Sequence, residues 1–252
     1  MQRTALRVTK NKEILNEIID LAGIEELKHI KDDGSAIAIG AGVNLEEVKS
    51  LSKKTFPALY KMLSVFGSRQ IRHLATLGGN LGSASPIGDT IPVLMAYDAT
   101  VVLESFEGKR KFQLVDFITG YRTTQLKPNE IITSIIIPKL KKGLQVESYK
   151  ISKRKDLDIS TVSGGFRLKL DETNTINDIL LAYGGMAAIT KRADRTENFL
   201  KGERWDRETV QKAMELLNKD FTPLSDARSS AEGRMVMARN LLLKFWTETN
   251  FM

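Results

Sequence analysis

The run T-L-G-G-N-L-G-S-A-S-P-I-G-D-T at residues 76–90 concentrates four glycines, several small hydroxyl residues and one acid between two apolar segments. Two roles need that mixture: a loop whose backbone approaches a phosphate-bearing ligand, or a tight structural turn. Glycine has no Cβ, so its amide can lie against an anion and its φ can be positive. Gly78, Gly79 and Asn80 can offer successive amides to a pyrophosphate, and the Thr76 hydroxyl a further hydrogen bond. Ser83 and Ser85 extend the polar lining. Asp89, when ionised, only accepts hydrogen bonds, which suits a ribose or ribityl hydroxyl. Its alternative role is the N-cap of a helix opening at Thr90.

Upstream, residues 71–77 read as a strand-like lead into this run. Before them, Pro57 opens a helix with Leu59, Met62, Leu63 and Phe66 at helical spacing, closed by Gly67. Asn44 opens an earlier helix, with Glu47 placed as its capping-box partner. The A-I-A-I-G of residues 36–40 reads as a strand, and the apolar residues 15–21 as a shorter one. Gly40-Ala41-Gly42 begins a dinucleotide fingerprint, but Leu45 stands at its third glycine position, so the segment reads as a turn and capped helix.

Downstream, residues 90–96 read as a short helix with Pro92 in its first turn, and residues 100–104 as a strand turning at Glu107-Gly108 into residues 110–114. Residues 131–137 form a strand with five isoleucines, stopped by Pro138. The polar residues 139–143 read as a linker, dividing the chain into 1–140 and 144–252. Beyond it come a strand at 147–152 and a hairpin of residues 161–170 and 176–183 around the turn residues 171–175. Helices follow at 194–201, 207–218 and 229–249, the last with Met235, Ala238, Leu241, Leu242 and Phe245 on one face. Strands followed by grouped helices give an α+β fold rather than a doubly wound sheet.

The composition narrows the function. At 252 residues, 42% hydrophobic and 27% charged, the chain has the make-up of a globular protein with two subdomains. It carries no bilayer-length apolar run and opens without a signal-peptide core, so a cytoplasmic location is expected. The net charge of +7 comes from 38 basic and 31 acidic residues interleaved along the chain, with no aromatic and basic motif to suggest nucleic acid. There are no cysteines, which excludes disulfides, a thiol nucleophile and a cysteine-ligated iron–sulfur cluster within the chain. His29 and His73 stand apart without close ligand partners, so no metal site is expected. No general acid–base dyad or nucleophile is evident, and no catalytic residue is assigned.

Residues 66–94, F-G-S-R-Q-I-R-H-L-A-T-L-G-G-N-L-G-S-A-S-P-I-G-D-T-I-P-V-L, closely resemble the flavin domain of xanthine dehydrogenases and related molybdenum hydroxylases. The resemblance continues through Gly120-Tyr121-Arg122, Y-K-I-S-K-R at 149–154, D-I-S at 158–160 and Y-G-G-M-A at 183–187. D-F-T-P-L-S-D at 220–226 is similar to the small subunit of the bacterial branch, and nearly the whole chain is covered. The resemblance implies a vanillyl-alcohol-oxidase-type FAD-binding domain followed by a C-terminal domain of antiparallel sheet plus helices. It implies that Thr76, Gly78, Gly79 and Asn80 hold the FAD pyrophosphate, and Ser85, from the reading of the residues, is kept beside them as a cofactor-binding candidate. It further implies that Phe66 lies beside the isoalloxazine and that Asp89, Ile132 and Lys150 contact FAD. Read as residues alone, Phe66 is core packing of its helix, Ile132 a buried strand residue and Lys150 a solvated strand lysine. Tyr121 matches a position on the nicotinamide side.

Two departures accompany the match. Family members carry a second glycine loop, Gly-Gly-Thr-Asp or similar, before the segment matching A-L-R-V-T-K at residues 5–10. Here that place reads M-Q-R-T, which implies an FAD domain lacking its N-terminal part. The family's loop near the flavin carries an acid where this chain has Leu157, flanked by Asp156 and Asp158. The implied function is electron transfer from iron–sulfur clusters on another domain or chain, through FAD, to NAD+. Molybdopterin and the 2Fe-2S clusters would lie only on partners. The alternatives are a scaffold that docks those partners without holding FAD, and a stand-alone flavin oxidase of the same fold.

Overall fold

The isoleucine-rich segment lies at the centre of the first sheet. In chain order the strands are β1 (Ile30–Asp32), β2 (Ala36–Gly40), β3 (Thr100–Ser105), β4 (Gly108–Gln113), β5 (Ile118–Gly120), β6 (Thr123–Thr124) and β7 (Ile131–Pro138). The second half adds β8 (Leu144–Ile151), β9 (Val162–Leu170), β10 (Ile176–Gly184) and β11 (Lys191–Arg192). The structure, a computed structural model, describes residue 8 and residues 12–155 and 157–250. Residues 5–7, 9 and 10 of the family-like A-L-R-V-T-K segment, and Asp156, lie outside the described residues.

β7 pairs antiparallel with both β2 and β3, giving the order β1-β2-β7-β3-β4. Alternation along β7 sends Ile135 and Ile137 into the core. The edge strands are short or basic: β1 is exposed throughout and β4 reads G-K-R-K-F-Q, compositions that discourage further strand pairing. β5 and β6 form a separate ribbon. The expected strand at residues 15–21 is absent. The free edge of β2 is taken by β1 instead, and Ile14, Ile18 and Ile19 are exposed.

Helices α1 (Leu45–Thr55), α2 (Pro57–Ser64), α3 (Arg69–Leu74), α4 (Leu77–Gly82) and α5 (Thr90–Ala96) lie between β2 and β3. Asn44 caps α1, its side chain accepting from the Glu47 N–H at 3.0 Å. α2 ends at Ser64, so Phe66 falls in the following turn, where Gly67 has φ +49. Residues 71–77 are not strand-like. Ser68 accepts from the Ile71 N–H and starts α3, a cap signal that outweighs the apolar spacing.

The second sheet has the order β11-β10-β9-β8 and contains the expected hairpin, whose turn is held by the Asp171 carboxylate accepting from Thr173 and Thr175 N–H. After the short α6 (Leu114–Phe117), the remaining helices are α7 (Asp194–Leu200), α8 (Arg207–Asp220) and α9 (Ala231–Thr249). They share an aromatic core in which the Phe166 ring contacts Tyr149, Tyr183 and Phe245. On the other face, Val146, Leu180 and Ala182 join the core of the first half. α5 lies directly on β9, because a Cβ at Gly165 would run into the Pro92 carbonyl and the Val93 nitrogen. The two halves are therefore packed through a first-half helix seated on the second-half sheet.

Candidate functional site

The glycine-rich run folds as a helix start followed by a turn. Thr76 is the N-cap of α4, its Oγ1 accepting the Gly79 N–H at 3.1 Å. The neighbouring amides are also committed: Leu77 N–H donates to the Val43 carbonyl, Gly78 N–H to Ala41 at 3.0 Å, and Asn80 N–H to Thr76 at 3.0 Å. The expected row of free amides at Gly78, Gly79 and Asn80 is not observed. A helical first turn satisfies its N–H groups through its cap, and here also through the turn after β2.

The glycines then differ in purpose. Gly78 is buried, and a Cβ there would lie 2.5 Å from the Ala41 Cβ, so its bareness serves close packing. Gly79 is exposed, with only Thr76 Oγ1 within 4 Å of a built Cβ, at 2.9 Å. Asn80 Oδ1 accepts from the Thr90 hydroxyl at 2.6 Å, which leaves its NH2 to donate outward. Thr76 keeps its hydroxyl proton. A ligand anion at this helix start meets side-chain donors over an open glycine rather than a nest of amides. Ile132 flanks the same helix, its Cδ1 3.3 Å from a Cβ built on Gly82. Ser83 donates to the Asn80 carbonyl, and Ser85 Oγ accepts the Ile87 N–H at 3.4 Å within its own turn.

Asp89 stands at the N-cap position of α5, but its side chain makes no capping hydrogen bond. Its backbone is already helical and its carboxylate turns to the second sheet. Lys150 Nζ donates to Oδ2 at 2.7 Å and Ser160 Oγ to Oδ1 at 2.5 Å. Both side chains of the ion pair are under a tenth exposed, so Lys150 is neither solvated nor an unanswered cation. Burying a carboxylate is costly without such partners, and Lys150 and Ser160, 61 and 71 positions further along the chain, come together to supply them. Lys150 Nζ also lies 3.5 Å from the Val65 carbonyl, which brings the half-buried Phe66 next to this cluster. A cleft of about 330 Å³ opens here, lined by Val65, Lys150, Ile151, Ser152, Arg154 and Lys155. A larger one of about 470 Å³, between α8 and α9, holds none of the expected residues.

Tyr121 stands at the tip of the β5–β6 ribbon, 61% exposed, and among the described residues no side-chain hydrogen bond joins it to this cluster. Leu157 is exposed with φ +56, and Asp158 is engaged within the loop, accepting from the Arg154 and Ile159 N–H groups. Those bonds, the Arg154 N–H first, hold the Asp158 carboxyl below its ordinary value. Sequence reasoning missed three supporting residues. Ser160 and Thr90 carry the hydrogen bonds just described. Buried Arg72 donates to the Phe66 and Gly67 carbonyls at 2.9 Å and pairs with Glu46 at 2.5 Å, fixing the Phe66 turn. Nothing in the R-Q-I-R-H spacing separates Arg72 from exposed Arg69, whereas the serine just ahead of β9 is a legible small-polar signal.

Comparisons with known proteins identify the family and the fold. Residues 2–140 match the family described as the FAD binding domain in molybdopterin dehydrogenase, and residues 147–249 the CO dehydrogenase flavoprotein C-terminal domain. Xanthine dehydrogenase of Emericella nidulans is 36% identical over 214 residues, 80% of this chain but only 16% of that protein. The nicotinate dehydrogenase FAD-subunit of Eubacterium barkeri is 33% identical over 218 residues, covering 84% of this chain and 74% of that one. Carbon monoxide dehydrogenase from Hydrogenophaga pseudoflava superposes with a TM-score of 0.88 at 25% identity, over 96% of this chain and 85% of that one. Quinoline 2-oxidoreductase from Pseudomonas putida 86 superposes with a TM-score of 0.87 at 24% identity, over 98% of this chain and 86% of that one. Among the described residues no helix is long and apolar enough to cross a membrane.

Proposed function

The chain belongs to the family of FAD-binding domains of molybdopterin dehydrogenases, and from that premise we propose that it is the flavin-bearing electron-transfer part of a xanthine-dehydrogenase-like molybdenum hydroxylase. In this reading electrons arrive from iron–sulfur clusters on another domain or chain and leave to NAD+, and molybdopterin is carried by a partner. The division into an FAD-binding part at 1–140 and a flavoprotein C-terminal part at 144–252 belongs to the same proposal.

The observation that carries the reading is the start of α4: exposed Gly79 between the Thr76 hydroxyl and the Asn80 amide, with Ile132 alongside. These groups suit a pyrophosphate, with close approach at Gly79 and neutral donors on either side. Asp89, Ser160 and Lys150 form a neutralised polar floor, and Phe66, next in the chain to the Val65 whose carbonyl accepts from Lys150, supplies the aromatic side chain for the isoalloxazine in this reading. Bound FAD supplies the link between single-electron and hydride transfer, and the protein positions and tunes it. The committed amides of Gly78, Gly79 and Asn80 favour a second reading, a scaffold that docks partners without holding FAD.

Saturating the purified protein with FAD, desalting it and recording the visible spectrum separates the two. A retained flavin band is expected, and anaerobic NADH is expected to bleach it. A colourless protein overturns the FAD reading, while a band that NADH leaves untouched overturns only the NAD+ assignment.

A further inference from the structure

Resting on the FAD-binding reading above, we propose that Arg234, on α9, is the positioning residue that holds the Asp89–Lys150–Ser160 cluster in place from the far end of the chain. Its side chain is only 4% exposed. Nη1 donates to the Thr161 carbonyl and, at 3.2 Å, to the Gly185 carbonyl, while Nη2 donates to Asp226 Oδ1 at 2.7 Å. Each contact leads to the cluster. Thr161 follows Ser160, whose hydroxyl holds Asp89. The Thr161 N–H donates at 2.7 Å to the carbonyl of Ile151, the neighbour of Lys150. The Gly185 N–H donates at 2.8 Å to the carbonyl of Pro86, in the turn that delivers Asp89. The guanidinium thus touches the Ser160–Thr161 segment directly and reaches the segments bearing Lys150 and Asp89 through one further backbone hydrogen bond each.

The contact at Gly185 admits nothing else. Gly185 has φ +81, and a Cβ on it would run into the Thr161 carbonyl oxygen and lie 3.1 Å from Arg234 Nη1. Arg234 Nε is buried without a partner among the described residues. A buried, incompletely paired charge is poor value as a stabiliser, so the guanidinium's worth lies in its fork, which grips two carbonyls and a carboxylate at fixed angles. Lys153 ties the loop between Lys150 and Ser160 to the residue after Asp226, donating to the Ala227 carbonyl at 2.8 Å.

Arg234→Lys keeps the charge and removes the fork. Two readouts test it: FAD affinity from flavin fluorescence quenching, and, without FAD, the rate of tryptic cleavage at Lys153, Arg154 and Lys155. Arg234→Lys is expected to weaken FAD binding about tenfold and to speed loop cleavage by about the same factor. Combined with Asp89→Asn, it is expected to weaken FAD little beyond the single variants, because both act through one network. Asp226→Asn, which retains a carbonyl acceptor, is expected to show the same changes in smaller measure and decides the matter if Arg234→Lys does not fold. Unchanged cleavage and FAD affinity, or fully additive effects with Asp89→Asn, overturn the proposal. If the parent protein binds no FAD, the functional reading falls, and the positioning role is then judged on the cleavage rate alone.

Discussion

Two adjacent glycines in the T-L-G-G-N turn have opposite environments, and that separates folding from binding. A methyl group at Gly78 meets Ala41 Cβ at 2.5 Å and its carbonyl oxygen at 2.9 Å, atoms held by the turn after β2. A methyl group at Gly79 meets only the Thr76 hydroxyl oxygen, beside open solvent. Gly78→Ala is therefore expected to cost about 1–3 kcal/mol in urea unfolding, as overpacking does. Gly79→Ala, which shifts only the Thr76 hydroxyl, is expected to lower the unfolding midpoint less than Gly78→Ala does and to reduce the flavin retained after desalting. Equal losses of stability in the two variants would contradict this division. The residue types of this turn were legible in the sequence, but the fate of the Leu77 and Gly78 amides was not, because their acceptors Val43 and Ala41 are supplied by a different element.

At the scale of elements, the misread segments are those whose identity depends on a neighbour. The apolar residues 15–21 have strand composition and no strand, because β1 holds the edge they would need. The apolar spacing before the glycine run concealed α3, although Ser68 was there to cap it. By contrast β7, the β9–β10 hairpin and α9 carry enough local pattern to be placed from sequence alone.

One inter-element tie sets a pH dependence. Glu130, ahead of β7, accepts two hydrogen bonds from Arg110 of β4, both at 2.7 Å, and one from the Lys127 N–H. The Arg110 guanidinium first, then that N–H, pull the Glu130 carboxyl from 4.5 down to about 2. A carboxyl depressed in the folded state stabilises fully above its unfolded value and loses that contribution as the pH falls through its folded value. Thermal unfolding is thus expected to shift down between pH 4.5 and about 2, and Glu130→Gln to flatten that part of the profile. A variant with the parent's acid slope would show that the tie contributes nothing there.

On the scale of the whole molecule, α5 seated on β9 makes one cooperative body of two sequence regions. Both tryptophans, Trp205 and Trp246, belong to the second-half core, so their fluorescence reports that half while far-ultraviolet circular dichroism reports both. Coincident urea transitions by the two probes are expected. Gly165→Ala, which forces α5 off the sheet, is expected to lower both midpoints together, by several kcal/mol's worth of stability, on the order of 2–4. Separated transitions would mean that the halves unfold independently.

By itself the sequence determined the α+β order of elements, the strong strands and helices, the absence of thiol chemistry and the family to which its motifs belong. Each follows from local pattern or from residue identity, which need no knowledge of the partner across the core. The tertiary structure alone decided that the Leu77 and Gly78 amides of the glycine run are spent on the turn after β2. It also decided that Asp89 and Lys150 neutralise each other, and that Arg234 stands beneath them. Hydrogen bonds and ion pairs between residues 61 or more positions apart are set by which backbones the packed helices and sheets bring together, and no spacing along the chain encodes that.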